Sequence, residues 1–341
     1  MTTLLPTTLV GSLPKPSWLA QEESLWAPWK LSGDELQEGR HDALALAVAD
    51  QLRAGVDLVC DGEQTRRHFV TTFIEHLGGV DFERRETVRI RDRYDAEVPT
   101  VVDAVHRERP VFVEDAKVLR GLTDRPVKWT LPGPMTMIDT LYDAHYGSRE
   151  ELAREFAALL NQEARELEAA GVDIVQFDEP AFNVFFDDVR DWGVEVLERA
   201  AEGLRAETVV HICYGYGIKA NVDWKATLGG EWRQYEETFP ALAASRLSEV
   251  SLECIHSKVP IELLSLLKGK DVQIGVIDVA NDTVETPEQV AATIEAALKH
   301  VPKERIIVGT NCGMAPMRRD IAAAKLMALG QGAALARKRF G

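Results

Sequence analysis

The chain has 341 residues, 45% hydrophobic and 28% charged, enough for one large domain or two ordinary ones and for a core that needs no disulfides. Lys and Arg number 39 against 55 Asp and Glu, a net charge of −16. That balance argues against nucleic acid or an anionic membrane as partner, because phosphate affinity comes from basic side chains. The apolar opening Met1–Leu13 carries Pro6 and no basic stretch, so it does not read as a signal peptide, and no apolar run approaches the ~18–20 residues of a membrane span. Four cysteines, Cys60, Cys213, Cys254 and Cys312, are few for this length and point to reduced thiols in a cytoplasmic protein.

In chain order, a strand is expected near Thr8–Gly11. A helix start follows, where Ser32 and Glu35 have capping-box spacing. Asp57–Cys60 reads as a second strand. From Phe82 to Arg109 the rhythm breaks into a charged, alternating stretch (Glu86-Thr-Val-Arg-Ile-Arg-Asp), read as an inserted hairpin or arm. A strand at Lys128–Leu131 precedes a second capping-box pair, Ser148 and Glu151. Leu152, Phe156, Leu159, Leu160 and Leu167 then recur at helical spacing up to a stop at Gly171. Strands follow near Asp173–Phe177, Val209–Cys213, Val250–Glu253 and Val272–Ile277. Thr286, Pro287 and Gln289 start another helix, and Arg305–Gly309 is the last strand. The passages Ala54-Gly-Val-Asp-Leu-Val-Cys-Asp61 and Ala170-Gly-Val-Asp-Ile-Val-Gln-Phe-Asp178 repeat one unit: helix end, glycine stop, buried strand, acidic tip. Eight short β-branched strands alternating with helices predict an α/β fold, a (β/α)8 TIM barrel, with the arm (about 82–109) inserted after strand 2. No Pro/Gly/Ser linker divides the chain, so 1–341 is read as one domain.

A barrel of this kind carries its site at the C-terminal strand ends. Ser12, Asp61, Glu63, Asp178, Glu179, His211, Cys213, Glu253, Asp278 and Cys312 fall there. In extended chain His211 and Cys213 face the same way and can reach one ion. With Glu253 and Cys312 they would make a borderline-soft, four-coordinate set suited to Zn²⁺. The gaps of 40 and 59 residues are too long for a zinc finger and fit ligands gathered from different strands. On spacing alone, burial of Cys213 and Cys312 as small core residues, the commonest fate of free cysteine, is the stronger explanation.

Taken together, Val10-Gly-Ser12, Asp61-Gly-Glu63, Phe73-Ile-Glu-His-Leu-Gly-Gly79, Gly133-Pro-Met-Thr136, Asp178-Glu-Pro180, His211-Ile-Cys213, Ser251-Leu-Glu253 and Asn311-Cys312-Gly313 resemble the motifs of cobalamin-independent methionine synthase, in that family's order. The similarity covers essentially the whole chain, matches the C-terminal barrel of the long two-barrel enzyme, and is closer still to the short, folate-independent, single-barrel synthases. It implies a zinc-dependent methyltransferase that forms methionine from L-homocysteine. His211, Cys213, Glu253 and Cys312 match the family's zinc ligands. Glu63 and Asp178 match the carboxylates that hold the amino group of homocysteine, and Ser12 matches the position that holds its carboxylate. Zinc would strip the proton from a thiol whose free pKa is about 8.5.

Two departures bear on the methyl donor. Thr140 stands where the long enzyme has a tryptophan that stacks on folate, and Ala280 replaces its catalytic histidine in Asp278-Val-Ala280-Asn281. The resemblance therefore implies a donor other than methyl-tetrahydrofolate: a methylated corrinoid protein, another small donor, or a methyl group supplied by a partner. His68 and Asp278 are the candidates for the missing acid, each with a plainer reading: a histidine on the surface or behind the site, and a loop cap. Cys60 and Cys254 are expected to face the helices, Arg66 and Arg67 to pair with carboxylates, Glu179 to be structural, and Trp18, Trp26 and Trp29 to pack over the barrel mouth or on a partner. Other readings are a methyl- or alkyltransferase acting on another small thiol, a zinc hydrolase, and a non-enzymatic barrel.

Overall fold

The computed structural model describes residues 3–26, 28–215 and 219–341. In chain order the elements are α1 (Gly33–Ala54), β1 (Val59–Cys60), α2 (Thr71–Ile74), β2 (Leu77–Ile90), β3 (Tyr94–Arg107), α3 (Val113–Gly121), β4 (Val127–Pro132), α4 (Pro134–Ile138), β5 (Tyr142–Asp143), α5 (Arg149–Ala169), β6 (Ile174–Asp178), α6 (Phe186–Asp188), α7 (Val194–Ala200), β7 (Glu207–His211), α8 (Lys219–Ala226), α9 (Tyr235–Ala244), β8 (Glu249–Glu253), β9 (Asp271–Ile277), α10 (Pro287–Ala297), β10 (Ile306–Thr310) and α11 (Arg319–Phe340). Among them no helix is long and apolar enough to cross a membrane.

Seven strands form one parallel sheet in the order β1-β4-β6-β7-β8-β9-β10. Helices cover it outside, with α10 and α1 against α11 and α5 against α7. The sheet curls strongly. Lys128 on β4 and Gln273 on β9 have three strands between them in sheet order, yet Lys128 Nζ lies 3.4 Å from Gln273 Oε1 across the interior. The same ammonium donates to Gln176 Oε1 on β6 (2.9 Å) and to the Leu9 carbonyl. The inner strand faces are therefore partly polar, which the apolar runs did not announce. A buried cation is tolerated there because three oxygens replace its water.

The strand expected at Thr8–Gly11 is not a strand. Thr7 and Thr8 make two isolated parallel bridges, to Val308 and to Leu58. Side chains take over the ladder beyond them: Val10 N–H donates to Thr310 Oγ1 (3.1 Å) and Thr8 Oγ1 to the Leu58 carbonyl (3.0 Å). The strand expected at 57–60 shortens to Val59–Cys60 for a related reason, since Asp57 Oδ2 accepts from Thr7 N–H and Thr7 Oγ1. The segment around Thr7 thus links the two outer edges of the sheet.

The stretch read as an arm at about 82–109 is the antiparallel hairpin β2–β3, beginning earlier, at Leu77. The register shifts at Gly78–Val80. Gly79 has φ +85°, and a Cβ there would sit 2.5 Å from the Ala104 carbonyl, so only glycine fits. Two helix starts match their caps. Thr286 and Gln289 form a complete capping box, and Ser148 Oγ accepts from Glu151 N–H. Ser32 is an N-cap but its side chain makes no capping bond.

Candidate active site

The parallel register explains how the site is built. At the C-terminal end of β7, His211 stands opposite Ser251 of β8, and Ser251 Oγ lies 2.9 Å from His211 Nδ1. That contact fixes the ring and leaves Nε2 buried with no hydrogen-bond partner among the described residues. Cys213 lies two residues on, and Cys312 arrives from the loop after β10. The sulfurs of Cys213 and Cys312 are 3.5 Å apart, and the ligand atoms of His211, Cys213 and Cys312 all lie within 4.8 Å of one another. The thiols form a hydrogen-bonded pair. The bond from Cys312, with His211 nearby, favours the Cys213 thiolate and pulls its pKa well down, while Cys312, facing that thiolate, is held well up.

This donor set fits a metal. Two thiolates bound tetrahedrally at the usual Zn–S length of ~2.3 Å sit about 3.8 Å apart, close to the spacing observed. The unpaired imidazole nitrogen is what a third ligand needs, and the Ser251 contact at its other nitrogen is the usual outer support for a ligating histidine. Glu253 is not among the three. Tyr214 N–H donates to its Oε1 (2.6 Å), and Lys225 Nζ stands 3.9 Å from Oε2; burial raises its pKa.

Beside the cluster lies a cavity of about 870 Å³. Ser12, Glu63, His68, Asp178, His211, Cys213 and Cys312 all line it, whereas Glu253 and Asp278 do not. Glu63 sits in a left-handed backbone conformation, φ 55°, directly after Gly62 at +63°. Such geometry costs a non-glycine residue of order 1–3 kcal/mol and is kept where a side chain must be aimed. Here it sends the carboxylate under Gly11 and onto Thr130, whose hydroxyl donates to Oε1 at 3.0 Å. A Cβ on Gly11 would meet that oxygen at 2.7 Å. Asp178 accepts from Gln176 Nε2 at 2.7 Å. Burial lifts its pKa to about 7, opposed by His211 and aided by Glu63, and burial likewise raises Glu63. Two desolvated carboxylates on one wall are a site for a cation. Ser12 Oγ accepts from Ala315 N–H at 3.2 Å, which ties the segment after Thr8 to the loop carrying Cys312.

The remaining expectations separate by geometry. Glu179 points away from Asp178 and accepts from Met135 N–H, Thr136 N–H and Thr136 Oγ1 at the start of α4; burial nonetheless raises it to about 8. A Cβ on Gly133 would fall 2.1 Å from Glu179 Cδ. Gly133→Ala is therefore expected to cost about 2–4 kcal/mol, measurable as a lower denaturation midpoint with unchanged m. Asp278 is engaged in its own loop, accepting from Ala280 N–H (2.8 Å) and Asn281 Nδ2, with His256 Nδ1 at 3.3 Å. His68 stacks on Trp26 with ring centroids 5.3 Å apart. The amides of Val70 and Thr71 donate to its Nδ1, and burial lowers its pKa to about 3, so it faces the cavity as a neutral imidazole with its proton on Nε2. Arg66 forms a buried two-pronged pair with Asp61 between the rings of Phe112 and Trp129. Arg67 pairs with Glu75 at 2.6 Å. Cys60 is buried, its thiol 3.4 Å from the Gly11 carbonyl, and Cys254 is partly exposed.

Sequence reading missed the inner supports Thr130, Gln176 and Ser251. Each sits two residues from a site residue or a buried polar one on its own strand, so the polar period-2 pattern inside otherwise apolar strands was the available signal. It also missed that the arm walls the cavity, through Phe82, Arg91, Arg93, Tyr94 and Val98 among others.

A family profile described as "Cobalamin-independent synthase, Catalytic domain" matches residues 5–334. Proteins named methionine synthase from Saccharolobus solfataricus and Sulfurisphaera tokodaii are 32% and 31% identical. Each alignment covers 99% of this chain, and 96% and 94% of the respective relative. Among solved structures, a B12-independent methionine synthase from Shewanella sp. W3-18-1, in complex with selenomethionine, is 65% identical with a TM-score of 0.97, covering 99% of both chains. A putative vitamin-B12 independent methionine synthase from Listeria monocytogenes, 18% identical with a TM-score of 0.73 and full coverage of both chains, shares the fold.

Proposed function

Because this chain belongs to the cobalamin-independent synthase family, matching its catalytic domain, and is a methyltransferase, we propose that it moves a methyl group to the thiol of L-homocysteine to form methionine, with Zn²⁺ at His211, Cys213, Glu253 and Cys312. The observation that carries this reading is one cavity holding both halves of the required chemistry: a soft His/Cys/Cys cluster for a thiol and two buried carboxylates for an ammonium. The fold reading that goes with it is a (β/α)8 barrel of one domain, 1–341, with Thr7 and Thr8 bridging the sheet edges and β2–β3 as the arm. A cytoplasmic location fits its free cysteines.

When bound, zinc lowers the pKa of a ligated thiol so that sulfur attacks as thiolate at neutral pH. The chain does the rest. Glu63 and Asp178 pair with the substrate ammonium, whose arrival supplies the charge that keeps both ionised. Ser12, fixed by the Ala315 amide, receives the carboxylate. Glu253, buried beside the cluster with its Oε1 accepting from Tyr214 N–H, would complete the ligand set, and that amide would hold its carboxylate whenever a substrate sulfur took its place. The methyl carbon forms its new bond to sulfur as its bond to the donor breaks, and that electron pair leaves with the donor.

Thr140 lines the cavity where the long enzyme has its folate-stacking tryptophan, and Asp278-Val-Ala280 lacks a histidine. Both support a donor other than methyl-tetrahydrofolate, such as a methylated corrinoid protein or a methyl group supplied by a partner. The test has two parts. In the cobalt-substituted protein, a thiolate-to-metal band should be present at rest and grow with L-homocysteine; no band removes the cysteines as ligands. Purified enzyme supplied with methyl-tetrahydrofolate alone should make methionine only slowly, and efficient turnover overturns the donor assignment. A resting band that ignores homocysteine but answers to another small thiol would favour the alternative substrate.

A further inference from the structure

Glu63 and Asp178 are buried carboxylates on the cavity wall, yet among the described residues neither has an ion pair of its own. Two buried cations, Arg66 and Lys128, reach them only at one remove. The residues in between lie on the inner faces of neighbouring strands. Lys128 and Thr130 alternate along β4, Gln176 and Asp178 along β6, and the parallel register sets Thr130 opposite Gln176. Arg66, Lys128, Thr130 and Gln176 are all at most 1% exposed, so bulk water does not compete for their bonds.

Arg66 Nη1 donates to the Thr130 carbonyl (2.7 Å) and to Thr130 Oγ1 (3.0 Å). A guanidinium only donates, so the hydroxyl accepts there and its single hydrogen turns to Glu63 Oε1 (3.0 Å). On the neighbouring strand, Lys128 Nζ donates to Gln176 Oε1 (2.9 Å). An ammonium likewise has no acceptor, so the amide oxygen faces it. The Nε2 hydrogens then go to the Val10 carbonyl and to Asp178 Oδ1, at 2.7 Å each. Stability alone would not select either arrangement. Arg66 already has its counter-ion in Asp61. Lys128 has only neutral oxygens, those of Leu9, Gln176 and Gln273, which is a costly way to bury a charge. A direct salt bridge to Glu63 or Asp178 would satisfy the cation better, but an incoming ammonium would have to break it. A neutral side chain in between fixes one carboxylate oxygen and passes on the polarisation of the cation. The other oxygen, Glu63 Oε2 or Asp178 Oδ2, stays without a bond among the described residues.

We propose that Arg66 and Lys128 are positioning residues for the amino group of the substrate, each acting through a neutral side chain, Thr130 or Gln176, on the carboxylate that receives the ammonium. This deepens the homocysteine reading and rests on it. The two relays aim Glu63 and Asp178 from behind while leaving both free of any competing cation. They make the pocket selective for a thiol that carries an amino group over one that does not.

The test is calorimetry on zinc-loaded protein with L-homocysteine and with 4-mercaptobutyrate, the same thiol without its amino group. Lys128→Met, which keeps the stem and removes the charge, should weaken homocysteine roughly tenfold while changing 4-mercaptobutyrate less than about threefold. Because Lys128 works through Asp178, the same change made in Asp178→Asn should shift homocysteine affinity less than about threefold, a strongly non-additive cycle. Thr130→Val, isosteric but without the hydroxyl, should behave in the same way against Glu63→Gln. If Lys128→Met does not fold, Gln176→Met carries the cycle in its place. Equal losses for the two thiols, or additive losses in the Asp178→Asn background, would make Lys128 a general support of the sheet interior and overturn the proposal. Undiminished discrimination between the thiols in Lys128→Met would overturn it too. Wild-type protein that binds both thiols equally well, or neither, would instead remove the ammonium-binding wall itself, and with it the reading on which this one rests.

Discussion

Replacing Cys312 with serine is expected to cut methionine formation by about a thousandfold or more while leaving the fold in place. Serine is nearly isosteric, so the loop after β10 keeps its shape, held by Met314 N–H on the Ser12 carbonyl and Ala315 N–H on Ser12 Oγ. What is lost is chemical. A serine hydroxyl stays protonated at neutral pH and is a poor zinc ligand beside a thiolate. The substituted site also loses the hydrogen bond that holds Cys213 as a thiolate. Without the ion the incoming thiol is mostly protonated, and it is no longer pinned near the donor, where positioning alone can be worth several orders of magnitude. Metal content and turnover should fall together, and the thermal midpoint in excess chelator should match that of chelated wild type. A variant that kept full zinc and near-normal turnover would remove Cys312 from the reaction.

Asp178→Asn should separate binding from stability. Each charge-assisted bond in a dry site contributes about 1.5–3 kcal/mol, so the Kd for homocysteine should rise roughly 10- to 150-fold. Glu63→Gln should behave alike. Both variants should bind 4-mercaptobutyrate, which lacks the amino group, as well as wild type does, so discrimination between the two thiols collapses. Stability moves the other way. The folded-state pKa of Asp178 is about 7, against 3.8 in the open chain. Between those values the folded state keeps a proton that the unfolded state has lost, so this residue's contribution to stability declines as pH rises from about 4 and reaches its full penalty above 7. Asp178→Asn abolishes that penalty. Its melting temperature should exceed that of wild type at pH 8, by a margin that shrinks toward pH 5. An unfavourable change at pH 8 would show that the carboxylate is not strained by burial.

How much of this could be read from sequence follows from periodicity. Parallel strands such as Ile174–Asp178 and Glu249–Glu253 announce themselves because apolar residues fill them and a polar tip ends them. The tips gave Glu63, Asp178, His211, Cys213 and Cys312, which the fold gathers around one cavity. Asp278, at an equally good tip, is consumed by its own loop, and nothing in a one-dimensional pattern distinguishes a tip that turns inward from one that caps itself. Glu253 was placed with the cluster by its strand tip and by resemblance; here its carboxylate meets a backbone amide, a choice of rotamer that spacing does not encode. The first strand failed because threonine hydroxyls replace ladder bonds at Val10 and Thr8. The arm was visible as alternation, yet its return over the curled sheet depends on Asp139 gripping Arg91, a tertiary contact across 48 residues.

The bridging of both sheet edges by the segment around Thr7 has a consequence for how the protein comes into being. Contacts such as Ser12 with Ala315 span 303 positions, and the paired thiols are separated by 99. During synthesis at roughly 5–20 residues per second, Cys213 emerges well before its partner exists, and the edge next to β1 waits longer still for β10. The molecule therefore assembles late, with high contact order and slow closure. A nascent chain passes through a long interval in which a reactive sulfur and an open sheet margin are exposed together. Chaperone dependence and oxidative loss during expression should accordingly concentrate in that window rather than in the finished enzyme.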